Sequence, residues 1–357
     1  MTAESTAAPT PFAAVAMQLG ARSLETLDAE AARAAMQGHI AEVETLIRSS
    51  AIFIEQYGGD PVKLAVLPEY LFTSYPGRIS IPEFAAKVGW DAGGPEYEAL
   101  GSAAQRLKLF IAGNAYERDA YFPDFYFQTS FLIAPSGNTV LRYRRLLSMF
   151  APSPHDVWEA YLDRYGMEGT FPVADTELGR IAAVASEEIL YPEIARVLAM
   201  RGAEIFCHSS SEVGSPLATA KDIAKQARAF ENMAYVISAN TAGIAGGGLP
   251  VLCADAGSRV IDYRGKILAQ SGSGETMTAF APLDLGALRR ARRTPAMANS
   301  LARQRPGLFA EAYAASAEAF HTANGMLAGG APAIPDRDYF RRAQEAVIAC
   351  LDKAGII

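Results

Sequence analysis

A chain of 357 residues, half of them apolar, carries enough nonpolar side chain for a sizeable core, and α/β units of this length commonly fold as one domain. Its formal charge of −7 is spread along the chain rather than blocked, so neither a nucleic acid nor an anionic membrane is expected as a partner. Three distant cysteines (Cys207, Cys253, Cys350) form no disulfide or zinc pattern and suit a reducing, cytoplasmic setting; the first twelve residues lack a secretory leader pattern, and no run of 18 apolar residues suggests a membrane span.

Strands and helices alternate from the start. Phe12–Met17 is short and apolar, and Thr26–Tyr57 has helical apolar spacing through Ala35, Ile40, Val43, Leu46 and Ile47. Gly58-Gly59-Asp60-Pro61 ends that helix, and Lys63–Leu67 reads as a buried strand that delivers Pro68-Glu69-Tyr70. The Gly- and Pro-containing stretch 71–90 is expected to be irregular, followed by a helix over Glu96–Leu107 and a strand over Lys108–Gly113. Phe125–Ala134 and Val140–Leu147 are extended segments joined by Pro135-Ser136-Gly137-Asn138, which has turn chemistry.

Strand Ile181–Ala185, helix Glu193–Arg201, strand Glu204–Cys207, helix Ala218–Met233 and strand Tyr235–Ala239 come next. Val260–Asp262 and Ile267–Ala269 form a hairpin, and Thr276–Pro282 is the last core strand. Composition shifts after Asp284: Leu285–Arg293 is basic, and the remainder is Ala-rich with a Gly/Pro break at Gly329–Pro335. The expected organisation is a core domain over 1–293 and a helical C-terminal extension over 294–357. Mixed hairpins among the βα units favour a layered α/β sandwich over a doubly wound parallel sheet.

Several segments, in one order, carry a resemblance. They are Leu64–Tyr70 with its strand and Pro-Glu; Leu141–Arg145 with Tyr143-Arg144-Arg145; and Gly179–Arg196 with Ser186 at its turn and Pro192-Glu193 beyond. Phe110–Glu117 and Phe127–Gly137, which match the strands after the first, Gln226–Asn232 followed by Ser238–Gly243, and Ala256–Val260 with Asp262 and Gly265, complete the set. Over roughly Phe12 to Arg293 this pattern resembles the nitrilase superfamily of carbon–nitrogen hydrolases. The resemblance implies a nitrilase-type α-β-β-α sandwich, hydrolysis of an amide-like bond in a small molecule, and pairing into a homodimer or larger homo-oligomer. It also implies that Glu69 is the general base, that Ser186 stands where the family has its nucleophilic cysteine, and that Arg145 stands where it has its lysine. Ser153 falls roughly where many such amidases carry a second glutamate.

An alcohol is a far weaker nucleophile than a thiol without a matched base, and a carboxylate is poorly matched to it. A guanidinium keeps its charge and its forked donors but does not shuttle a proton. Together the two replacements oppose covalent catalysis. Water activated by Glu69, with Arg145 and the N–H of Glu187 stabilising the developing charge, is a slower route that stays open.

Plainer readings stay open beside these: Ser186 as a structural serine, Glu69 and Arg145 as a satisfied ion pair, and Glu187 and Glu188 as caps of the next helix. Tyr70, His155, Glu187, His208 and Ser209 are the candidate substrate-binding residues. His155 and His208 matter most among the four histidines, because either one reaching Ser186 would reopen a serine–histidine mechanism; His39 and His321 are expected to face solvent. Ser209-Ser210-Ser211 reads as capping serines, and Gly246-Gly247-Gly248 is no phosphate loop. No cluster has metal-ligand spacing, so neither a metal nor a cofactor is expected. Two functions follow: a hydrolase with a Glu-Arg-Ser centre, or a homologue without turnover that binds a small ligand or serves as a partner subunit.

Overall fold

A computed structural model describes residues 10–215 and 217–357; the first nine residues, which include most of the segment read as lacking a leader, lie outside them. Two six-stranded mixed sheets form the centre. Across the first sheet the order is Thr276–Leu283, Phe12–Gln18, Val62–Val66, Phe110–Asp119, Phe122–Ile133 and Thr139–Arg144. Across the second it is Ile267–Gln270, Arg259–Ile261, Tyr235–Asn240, Ile205–Ser210, Gly179–Ala185 and Ala174–Thr176. The central strands of each sheet run parallel, and the flanking ones are antiparallel.

Strand Phe12–Gln18 shows why the layers stack as they do. Every residue in it is buried, and side chains alternate between faces along a strand. Ala14 and Ala16 join the apolar cluster shared with the second sheet, whereas Ala13, Val15 and Met17 join a cluster with helices Ala29–Gly58, Ile81–Val88 and Pro95–Leu107. Helices Pro192–Met200 and Ala220–Asn232 cover the second sheet. The result is the expected α-β-β-α sandwich.

Two local expectations need correction, and one segment read neither as helix nor as strand is largely helical. Stretch 71–90 is not irregular throughout: Ile81–Val88 is helical, with Pro82 in its first turn and Ile81, Phe84, Ala85 and Val88 buried on one face. The segment from Phe150 to Phe171 holds a short 3₁₀ turn, Pro154–Val157, and a helix, Trp158–Thr170, kinked at Gly166 (φ 61°). His39 does not face solvent; it lies under Phe72, edge to face at 5.9 Å. His321 is exposed, as expected.

The C-terminal segment contains helices Leu285–Arg293, Gly307–Ser316 and Tyr339–Lys353. Asn324 and Met326 donate backbone bonds to His155 and Asp156, and Met326 and Phe340 are buried in the helix-side cluster. No helix among the described residues is long and apolar enough to cross a membrane.

Candidate active site

The centre forms where the carboxyl ends of three parallel strands from the two sheets meet, the usual place for ligands in α/β sheets. Val62–Val66 runs into Leu67-Pro68-Glu69, and two bonds sew this turn to the second sheet: Ser209 Oγ donates to the Leu67 carbonyl (2.7 Å), and the Glu69 N–H donates to the Ser210 carbonyl (3.3 Å). Gly179–Ala185 ends at Ser186, which opens the 3₁₀ turn Ser186–Leu190. Ser186 (φ 48°) and Tyr70 (φ 65°) are both left-handed. For residues with a Cβ this costs about 1–3 kcal/mol and persists only where the surroundings enforce it, often at functional sites.

Glu69, Arg145 and Ser186 converge. Ser186 Oγ donates to Glu69 Oε2 at 2.7 Å, and Arg145 Nη1 lies 3.6 Å from Glu69 Oε1. All three are buried, at 0%, 6% and 5% exposure respectively, so the charges depend on partners. Glu69 also accepts from Gln128 Nε2 (2.6 Å) and from Ser211 Oγ (2.9 Å). Arg145 donates to the carbonyl of Leu147 (2.6 Å), to Gln128 Oε1 (2.6 Å) and to Glu187. Gln128 thus spans the acid and the cation, its amide oriented by both.

Burial would lower the Arg145 guanidinium, but Glu187, Glu69 and Glu188 outweigh it and hold the group above its ordinary value. It remains a cation and not a proton shuttle. Burial pushes Glu188 up to about 7, against Arg145, Tyr143 and two backbone donors. Tyr70 is pushed up by burial and by the neighbouring Glu69.

The other expected residues divide. Glu187 reaches the centre through Arg145. His208 reaches Ser186, but at its backbone carbonyl (Nε2 to O, 2.7 Å) and not at its hydroxyl; burial and Lys225 hold its ring well below the ordinary histidine value. It lies within strand Ile205–Ser210 rather than after it. His155 sits in the 3₁₀ turn beside Trp158, with its carbonyl bonded to Asn324. Ser153 is engaged with Asp156 as a turn cap, and Ser209 with Leu67.

Three residues were not anticipated. Gln128 is a lone amide in the aromatic strand Phe122–Ile133, and a buried polar residue in such a run was a readable signal. Ser211, read as a cap, bonds the acid. Glu188, also read as a cap, is fully buried and accepts from Tyr143 Oη (2.7 Å) and from the N–H groups of Leu146 (2.7 Å) and Leu147 (3.0 Å). It fixes the turn that follows Arg145.

Four clefts, of about 530, 180, 290 and 460 Å³, lie elsewhere; none is lined by Glu69, Arg145 or Ser186. The three central side chains are buried, and the partly exposed Glu187 side chain lies at their margin.

The chain matches the family model "Carbon-nitrogen hydrolase" over residues 20–293. It is 26% identical over 202 residues to a formamidase of Helicobacter acinonychis, covering 56% of each chain. It is 27% identical over 200 residues to a chloroplastic omega-amidase of Arabidopsis thaliana, covering 55% of this chain and 52% of the relative. The chain thus spans about half the length of these curated relatives. Among solved structures, a carbon–nitrogen hydrolase from Helicobacter pylori superposes with a TM-score of 0.64 at 19% identity, over 85% of this chain and 98% of that one. That likeness is one of fold.

Proposed function

The chain belongs to the carbon–nitrogen hydrolase family, and we propose that it cleaves the C–N bond of a small, non-peptide amide at the Glu69–Arg145–Ser186 centre. The observation that carries this reading is the 2.7 Å bond from the Ser186 hydroxyl to Glu69 Oε2, beside a guanidinium, in a buried site. It provides an attacking-atom position, a base and a charge stabiliser within mutual reach. The formamidase and omega-amidase relatives support an amide as the substrate class.

Serine and arginine stand where the family resemblance places cysteine and lysine. With no histidine on the hydroxyl, the route we favour has Glu69 take a proton from water as its oxygen bonds the amide carbonyl carbon. Arg145 and the Glu187 N–H hold the oxyanion, and Glu69 returns the proton to the departing nitrogen as the C–N bond breaks. The products are a carboxylic acid and ammonia or an amine, and Glu69 is regenerated. The Ser186 hydroxyl then positions rather than attacks, and Ser186→Ala separates the two: turnover survives if water attacks and disappears if serine does.

A second reading, a homologue without turnover that binds a small ligand or serves as a partner subunit, is favoured by the engagement of every arm of Arg145 within the protein, which suits a structural cation. A panel of aliphatic and aromatic amides, N-carbamoyl compounds and nitriles distinguishes them. Release of ammonia or amine supports the first reading; thermal stabilisation by ligands without release supports the second. Self-association is also part of this proposal, supported by the exposed apolar side chains Tyr191, Met200, Ile223 and Phe230 on the helices and turn flanking the second sheet, and sedimentation velocity tests it.

A further inference from the structure

His208 is fully buried, and its two ring nitrogens have different partners: Nε2 lies 2.7 Å from the Ser186 carbonyl oxygen, and Nδ1 lies 2.8 Å from Ser238 Oγ. A carbonyl only accepts, so Nε2 carries the proton; in the neutral ring Nδ1 is then a lone pair, and the Ser238 hydroxyl donates to it. Sheet register enforces this geometry, because His208 and Ser238 are paired across adjacent parallel strands.

The bond to Ser186 has a consequence at the next residue. A trans peptide is planar, with its C=O and N–H pointing in opposite directions, and no cis peptide occurs among the described residues. Holding the Ser186 carbonyl toward the second sheet therefore turns the Glu187 N–H away from it. At the start of the 3₁₀ turn Ser186–Leu190 that N–H has no partner within the turn. The left-handed backbone of Ser186 is the hinge of this orientation, and the imidazole is one of the restraints that keep it.

We propose that His208 is a positioning residue that aims the Glu187 N–H at the developing oxyanion, a role that rests on the amide-cleaving reading above. It does not take the serine proton, and it does not touch substrate.

Two variants test it. His208→Gln keeps an N–H at the place of Nε2, whereas His208→Met fills similar volume with no donor. Removing an oxyanion donor outright costs about 100- to 1000-fold in kcat; misaiming one should cost roughly tenfold or more, with KM held within about twofold. The methionine variant should show that loss, and the glutamine variant should recover most of it. Nitrogen-15 spectra of histidine-labelled wild-type protein should show the His208 proton on Nε2 and none on Nδ1. A proton on Nδ1, or a folded His208→Met protein with wild-type kcat, overturns the proposal. If the wild type turns over no amide, the catalytic reading fails separately, and the Glu187 amide resonance decides the orientation. It should move in His208→Met and return in His208→Gln; an unmoved resonance overturns the positioning role.

Discussion

Replacing Arg145 by methionine removes the counter-charge of a carboxylate that has no solvent contact. Glu69 would retain three neutral donors (Ser186, Gln128 and Ser211), but no cation among the described residues within salt-bridge distance. Gln128 Oε1 and the Leu147 carbonyl would lose their donors as well. Breaking a buried pair from one side costs about 3–5 kcal/mol. At roughly 2.1 cal/mol/K per residue, 357 residues give an unfolding entropy of about 0.75 kcal/mol/K, so the expected fall in Tm is about 4–7 °C. Calorimetry and urea titration at pH 7 measure it. In a Glu69→Gln background the same change should cost less by about 1 kcal/mol or more, because the stranded charge is gone. A Tm within about 1 °C of wild type, or equal costs in both backgrounds, would refute the view that Arg145 neutralises Glu69.

Glu188→Gln should alter the pH dependence of stability. The folded carboxyl titrates near 7 and the unfolded one near 4.5, so this group's contribution is full below 4.5, falls as pH rises and is lost above 7. The variant should therefore gain on wild type between pH 5 and 8, by up to about 3 kcal/mol in urea midpoints; parallel profiles would contradict this. Ser211→Ala removes one of the donors to Glu69 and should cost about 1–2 kcal/mol in urea titrations, with slower turnover of any amide the wild type cleaves. Gly101→Ala should destabilise by about 1–3 kcal/mol, since a Cβ there meets the Gly137 carbonyl at 2.5 Å, where helix Pro95–Leu107 crosses the Pro135–Asn138 turn; an unchanged Tm would show that the turn can yield.

Much of this was legible in the residues because local pattern and burial agree. Phe12–Gln18 and Tyr235–Asn240 are uninterrupted runs, the Pro135–Asn138 turn has its own chemistry, and the order of motifs places Glu69, Arg145 and Ser186 on strand ends. Helix Ile81–Val88 was overlooked although Ser80, Pro82 and the Ile81, Phe84, Ala85, Val88 spacing announce it; the neighbouring glycines and prolines obscured a short element. Helix Trp158–Thr170 lacks a strong apolar stripe, and only Tyr161 and Thr170 are buried. Within the centre, the groups missed were those whose role depends on long-range contact. Gln128 meets Glu69 across 59 residues, and Glu188 meets the turn after Arg145 across about 42. Nothing local distinguishes such an acid from a helix cap. His208 was a candidate pocket residue, yet only coordinates could show that it reaches Ser186 and holds its carbonyl and not its hydroxyl.

The most direct test is the rate of ammonia release from short-chain amides by wild-type protein and by Glu69→Gln. General-base loss is worth about 100-fold or more, so the glutamine variant should fall to background while remaining folded. Turnover by Glu69→Gln within about tenfold of wild type would remove Glu69 from the chemistry and the centre with it.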